Sequence, residues 1–339
     1  MHDDIPIPAW LRHMRRYELD GALLLFDRET GLNALIDGEE TTHLRRRAPR
    51  VLQFALTNHC NLACAFCSRD VDAKSAWTAE SAFRFLSDMA AWGTLEVAFG
   101  GGEPLVLKGF ADLVTRLHGE TPLAVSFTTN GTRLDSALLR EIRGKVGQIR
   151  LSIYDDSDWR AQVRLLAEND ARFGINYLVT RPRAPYVVDR MLELVELGAR
   201  DVLLLSYNGH DASLHLDRAA LAALDADVQA LMRALAGRAE LKLDVCWGDR
   251  LPSVPRALGR DLRACAAGVD HLVITSDRQV AACSFHHLAW PFETADDVMQ
   301  IWRERREAMS IATTAPGCAR DLDYGLDTRR SLPVVMEAR

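Results

Sequence analysis

From residue 51 the chain alternates between two hydrophobic regimes. Short, nearly continuous apolar runs occupy 51–57, 95–99, 123–128, 148–153, 174–180 and 201–206. Helix-like stretches follow at 78–91, 107–118, 135–143, 158–172, 186–197 and 217–236. Six strands, each followed by a helix, predict an α/β fold: a parallel sheet with right-handed crossovers covering its outer face. Such sheets carry chemistry at the C-terminal ends of their strands.

The flanking segments read differently. Residues 8–18 carry Trp10, Leu11, Met14 and Tyr17 and predict a short amphipathic helix. Apolar runs at 22–26 and 32–36 flank the turn Asp27-Arg28-Glu29-Thr30-Gly31 and predict a β-hairpin. Arg45-Arg46-Arg47-Ala48-Pro49-Arg50 follows, either as a solvated linker or as a patch for an acidic substrate or partner. Pro49 makes it a junction. Near the other end, 271–275 and 279–283 form a second hairpin across Ser276-Asp277-Arg278, and a helix over about 293–308 returns the chain to Cys318. The expected units are a preamble over 1–49, a main domain over 50–237, a small α+β domain over 238–325 and a tail over 326–339.

The chemistry gathers after the first of the six runs. Cys60, Cys64 and Cys67 lie within eight residues, in a loop that ends the run 51–57. Three thiolates do not fill a four-coordinate structural zinc site, and no His or Cys follows at finger-like spacing. Three thiolates do suit a [4Fe–4S] cube that keeps one iron open. The competing reading is three buried cysteines that act as small hydrophobes.

The spacing C-x3-C-x2-C, with Phe66 just before the third cysteine, resembles the radical S-adenosylmethionine (SAM) enzymes. Three further motifs stand in the order of that family: Gly100-Gly101-Gly102-Glu103-Pro104, Thr128-Thr129-Asn130-Gly131 and Leu151-Ser152-Ile153-Tyr154. The resemblance implies a partial (β/α)6 TIM-like barrel. It implies SAM on the open iron of the cluster, reductive cleavage to a 5′-deoxyadenosyl radical, and hydrogen abstraction from a substrate. Glu103 is then the acceptor for the SAM amine, on a loop whose glycines, Gly101 and Gly102 among them, let backbone approach closely, with Pro104 as a further cofactor-binding candidate. Phe66 lies near the adenine. Asn130 and Ser152 suit the ribose hydroxyls or the carboxylate, with a turn or cap role as the alternative for each. Arg133, Asp155, Val179 and Thr180 are weaker candidates.

Cys246, Cys265, Cys283 and Cys318 surround the second hairpin. This region resembles the SPASM or twitch extension of radical SAM enzymes, which binds an auxiliary iron–sulfur cluster. The dense Cys-x2-Cys of a full SPASM region is missing, so the shorter twitch form with one auxiliary [4Fe–4S] cluster is expected. Cys265, Cys283 and Cys318 are expected ligands. Cys246 has three readings: fourth ligand, thiol hydrogen donor, or buried bystander. His286 and His287 are further possible ligands.

Composition narrows the function classes. The 339 residues are 48% hydrophobic and 26% charged, ordinary for a globular enzyme. A formal charge of −6 gives no electrostatic reason for a nucleic-acid partner. Seven cysteines, three of them clustered, argue against a disulfide framework, and the start Met1-His2-Asp3-Asp4 is unlike a signal peptide. No apolar run is long enough to span a membrane. A reducing cytoplasm is the expected setting, with flavodoxin or ferredoxin as reductant. Members with such an extension mature ribosomally made peptides or oxidise small molecules. The hairpin preamble resembles that of peptide-maturing members, so a peptide substrate is expected (cross-linking, thioether formation or epimerisation). A small-molecule dehydrogenase or epimerase is the alternative, and an iron–sulfur electron carrier or redox sensor the reading from another class.

Overall fold

The computed structural model describes residues 5–314 apart from 68, 70–71, 210, 249, 255–264 and 286–287. Strands β1 (Arg15–Leu19), β2 (Ala22–Phe26) and β3 (Asn33–Asp37) come first. Then follow β4 (Val51–Thr57), α1 (Ala79–Trp92), β5 (Glu96–Gly101), α2 (Phe110–Glu120), β6 (Ala124–Thr129), α3 (Ser136–Glu141) and β7 (Gln148–Ser152). The repeat continues through α4 (Trp159–Glu168), β8 (Phe173–Val179), α5 (Val187–Glu196), β9 (Asp201–Ser206), α6 (Arg218–Ala234) and β10 (Glu240–Leu243). Last come β11 (His271–Ile274), β12 (Gln279–Ala281), β13 (Ala289–Pro291) and α7 (Ala295–Thr314). Helix starts are fixed by side-chain caps: Thr78 on α1, Asp135 on α3, Asp158 on α4 and Asp217 on α6.

The main sheet has ten strands in the order β10-β9-β8-β7-β6-β5-β4-β11-β12-β13. Strands β4 to β10 and β11 are parallel, while β12 and β13 return antiparallel. This is the α/β fold of a partial TIM-like barrel, preceded by the three-stranded antiparallel sheet β1-β2-β3. Residues after 238 continue the main sheet at both edges of its parallel core, β10 beside β9 and β11 beside β4, which pairs backbone that would otherwise lie open.

The strands prove less uniformly apolar than their runs suggest. In β6, β7 and β9 buried residues alternate with half-buried ones. Val125, Phe127, Ile149, Leu151, Val202 and Leu204 join the core with the helices. The other face carries Ser126, Thr128, Gln148, Arg150, Ser152 and Asp201, with Arg150 bonded to Asp201 at 2.7 Å and to Asn176 at 3.0 Å. Ala124, Leu203 and Leu205 share this face, so it is polar in part.

The helix expected over 8–18 does not form. One 3₁₀ turn, Ala9–Leu11, leads into β1, which pairs with β2. Trp10 is 68% exposed while Tyr17 and Leu19 are buried two residues apart, the period of a strand. The overlooked signal is Asp20-Gly21, a hairpin dipeptide, with Gly21 at φ 82°. The two faces of the small sheet are buried separately. Leu23 and Leu25 join Ile5, Ile7 and Leu44, whereas Tyr17, Leu19, Leu24 and Phe26 meet Leu95 of the barrel.

The basic run is neither linker nor open patch. Arg47 pairs with Glu18 at 2.9 Å, Arg46 with Asp20 and Asp270, and Arg50 with Asp270 at 2.7 Å and Glu96 at 3.0 Å. These arginines fasten the preamble, the start of β4 and the segment before β11. Burial alone would raise the Asp270 carboxyl, but hydrogen bonds and charge from Arg50 and Arg46 hold it below its ordinary value. Its stabilisation is therefore present above the unfolded carboxyl pKa and lost as pH falls through the depressed folded one. Asp270→Ala, which removes the carboxylate shared by Arg46 and Arg50 and leaves them only Asp20 and Glu96, is expected to cost about 2 kcal/mol at pH 7. The difference from wild type should shrink by pH 3 in urea unfolding; an equal difference at both pH values would contradict the clamp.

Candidate functional site

The Cys-rich loop leaves the C-terminal end of β4 and is stitched to the loop after β5. The Gly102 amide donates to Thr57 O at 2.6 Å and the Glu103 amide to His59 O at 2.8 Å. That approach requires glycine: a Cβ on Gly102 would lie 2.1 Å from His59 O, and one on Gly101, at φ 111°, 2.4 Å from Thr57 O. Gly100 has open space around it. Pro104 then starts a short 3₁₀ turn that Glu103 caps.

Glu103 is 1% exposed. Its Oε1 accepts from the Leu105 amide (3.1 Å) and the Thr129 hydroxyl (2.7 Å), and its Oε2 from the Asn130 amide (2.8 Å). Burial pushes this carboxyl above its ordinary value, opposed by those three donors. A carboxylate accepts about four hydrogen bonds, so one position remains. Arg133, exposed nearby, contributes only through its charge.

Asn130, at the end of β6, donates from Nδ2 to Cys60 Sγ at 3.7 Å and to Asn61 Oδ1 at 3.0 Å. The Leu62 amide also donates to Cys60 Sγ, at 3.5 Å. Burial pushes the Cys64 thiol up to about 11, and the charges of Cys67, Cys60 and Asp156 add to it. The three sulfurs thus lie within one another's field. Beside them the Phe66 ring stands 5.4 Å from that of Tyr154. Burial raises the Tyr154 phenol to about 12, with the Cys64 charge next, against a hydrogen bond with Ser152 at the end of β7. Tyr154 stands in the motif Leu151-Ser152-Ile153-Tyr154, but neither it nor Asn61 was given a role from sequence; the aromatic two residues after Ser152 was the available signal.

Other sequence candidates stand further back. Val179 is fully buried in the core, which leaves its backbone alone to border a ligand. The Thr180 carbonyl accepts from the Arg183 and Ala184 amides. Asp155 pairs with Arg183 at 3.1 Å and Arg190 at 3.7 Å.

The remaining cysteines separate along the barrel. Cys246 follows β10, in a 3₁₀ turn capped by Asp244, where the Trp247 indole donates to Leu204 O at 2.9 Å. That is the same end of the strands as the Cys60 loop. Cys265 and Cys283 flank the start of β11, where His271 pairs with Val51 at the beginning of β4 and Gly268 approaches Ala282. Seven residues of β4, about 20 Å of extended chain, separate the two levels. Among the described residues no two cysteines form a disulfide, and no three His, Cys, Asp or Glu side chains close around a single metal ion. Cys318, His286 and His287 lie outside the described residues. A cavity of about 380 Å³, lined by Arg28, His118, Arg143, Lys145 and Arg172 among others, opens near the starts of β6 and β7 and shares no residue with the motif loops.

Residues 54–158 match the Radical SAM superfamily. The PqqA peptide cyclase of Granulibacter bethesdensis is 28% identical over 171 residues, 44% of this chain and 45% of that protein. A probable GTP 3′,8-cyclase of Methanocella arvoryzae is 32% identical over 125 residues, 36% of this chain and 39% of that one. The chain thus spans less than half the length of these curated relatives. Streptococcus suis SuiB bound to precursor peptide SuiA superposes with a TM-score of 0.63 at 17% identity, over 76% of this chain and 65% of that one. For anSMEcpe with bound AdoMet the values are 0.62 and 16%, over 78% and 83%. Residues 54–158 are thus similar to the radical SAM superfamily, and the solved structures share the fold.

The stitch is testable without cofactor. Gly102→Ala is expected to destabilise the protein by about 1–3 kcal/mol through backbone overlap, while Gly100→Ala stays near wild type. Thermal unfolding of the two variants checks this, and equal melting temperatures would contradict it.

Proposed function

We propose that this chain binds a [4Fe–4S] cluster through Cys60, Cys64 and Cys67, cleaves SAM reductively there, and matures a peptide. The observation that carries the reading is the gathering of three thiols at the end of β4, against the loop that holds Glu103. The donor set suits the cluster: burial and mutual charge hold Cys64 protonated, and a cationic iron centre reverses both effects. When bound, cluster and SAM supply a 5′-deoxyadenosyl radical able to take hydrogen from unactivated carbon. The chain's own residues orient and shield. Glu103 offers its remaining lone pair to the SAM amine, with Gly101, Gly102 and Pro104 fixing its loop. Asn130 and Ser152 contribute polar groups at neighbouring strand ends. Phe66 and Tyr154 form an aromatic wall that keeps water from the adenine side.

Helices of the described residues give no candidate membrane span, and the mixed polar and apolar inner face suits a peptide substrate. Likeness to a peptide cyclase and to a fold solved with a precursor peptide supports that substrate class. The alternative, a small-molecule substrate, draws on the likeness to GTP 3′,8-cyclases. We assign the auxiliary [4Fe–4S] cluster to Cys265, Cys283 and Cys318 in the segment 238–325, with flavodoxin or ferredoxin as reductant. For Cys246, the strand level it shares with the Cys60 loop favours the hydrogen-donor role over ligation beside Cys265 and Cys283. A thiol there would give a hydrogen atom to the substrate radical, and the resulting thiyl would return to thiol through the reductant.

Changing Cys60, Cys64 and Cys67 together to Ala should remove about four irons per chain and abolish 5′-deoxyadenosine formation. Iron should persist in that variant until Cys265 and Cys283 are changed as well. Iron analysis and product chromatography check both steps, and SAM cleavage by the triple variant would end the reading. Cys246→Ala should keep its full iron content and still form 5′-deoxyadenosine, but should no longer incorporate solvent deuterium at the substrate carbon. Loss of iron from that variant would return Cys246 to the ligands.

A further inference from the structure

Two N–H donors converge on the Cys60 sulfur. They are Asn130 Nδ2 at 3.7 Å and the Leu62 amide at 3.5 Å. The Asn130 contact follows from a closed ring of side chains. Thr132 donates to Asn130 Oδ1 from its amide (3.0 Å) and its hydroxyl (2.6 Å). Asn61 Nδ2 donates to the Thr132 hydroxyl at 2.6 Å, and Asn61 Oδ1 accepts from Asn130 Nδ2 at 3.0 Å. Every donor in the ring meets an acceptor, and flipping the Asn130 amide would set oxygen against oxygen at Asn61 and nitrogen against the Thr132 amide. The Oδ1 is occupied, so the second N–H of Nδ2 is directed at sulfur. Asn130 is itself only 4% exposed, and its amide is held by Glu103 at 2.8 Å.

We infer that Asn130 is a positioning residue that sets the reduction potential of the cluster through Cys60, with Asn61 and Thr132 locking its amide. This rests on the [4Fe–4S] reading of Cys60, Cys64 and Cys67 proposed above. Hydrogen bonds to cluster sulfurs stabilise the reduced, more negative state and are a main determinant of potential. Two donors on one thiolate, in a site only partly open to water, ease acceptance of the electron. Glu103 has a part in this beyond any contact with SAM, because it anchors the strand end that carries Asn130.

The test is an EPR-monitored redox titration of the anaerobically reconstituted full chain. Asn130→Leu removes the side-chain donor and should shift the one-electron equilibrium about tenfold against reduction, roughly 59 mV toward negative potential. Thr132→Val breaks the ring one residue away from sulfur and should shift it in the same direction by less, with iron content as in wild type. Unchanged potentials in both variants would overturn the inference. Should Asn130→Leu fail to hold iron, Thr132→Val decides alone: a negative shift supports the role and no shift overturns it. A wild-type chain that takes up no cluster would sink the functional reading together with this inference. A wild-type cluster indifferent to Asn130 and Thr132 would sink the inference only.

Discussion

Two backbone hydrogen bonds, from Gly102 to Thr57 and from Glu103 to His59, hold together the end of the sheet that carries the Cys60 loop. They bring the loops after β4 and β5 to backbone contact, a distance no side-chain-bearing residue at 101 or 102 tolerates. The parallel register slips between Ala55 and Thr57 at this point, so the ends of the two strands are shaped by the stitch as well as by the ladder. Everything nearby follows from it. Glu103 is delivered, buried, to the end of β6, where it fixes Thr129 and Asn130, and Asn130 reaches back to Cys60. Three strands are thereby coupled through one carboxylate.

Elsewhere the molecule carries polar groups on the inner face and ties the starts of the strands to the preamble. Alternation along β6, β7 and β9 places polar groups on the inner face, where Arg150 and Asp201 satisfy one another without filling the space. At the opposite level the basic run clamps the preamble and the β11 hairpin onto the start of β4 through Asp270. The same topology divides the cysteines between two levels, Cys60, Cys64, Cys67 and Cys246 above, Cys265 and Cys283 below.

Much of this was legible in the sequence where the signal is local. The six runs from 51 to 206 became β4 to β9 because burial on the helix-facing side demands apolar residues at fixed spacing. The preamble misled because Leu11, Met14 and Tyr17 fall at helical intervals by chance, while Asp20-Gly21 carried the stronger instruction. Nonlocal pairings were not legible. Nothing near Glu103 announces that its partners come from β6, nor does the arginine run disclose that its carboxylate lies more than 200 residues away at Asp270. Tyr154 was visible as a motif residue, but its place opposite Phe66 depends on how β4 and β7 are spaced in the barrel.

The central claim is that Cys60, Cys64 and Cys67 hold a cluster whose open iron receives SAM. Its most direct measurement is the EPR spectrum of the reconstituted, reduced protein recorded with and without SAM. A SAM-dependent change in the g-values of one cluster signal is the predicted result, because ligation at an iron alters its electronic environment. A fully reduced cluster whose spectrum is indifferent to saturating SAM would contradict the account.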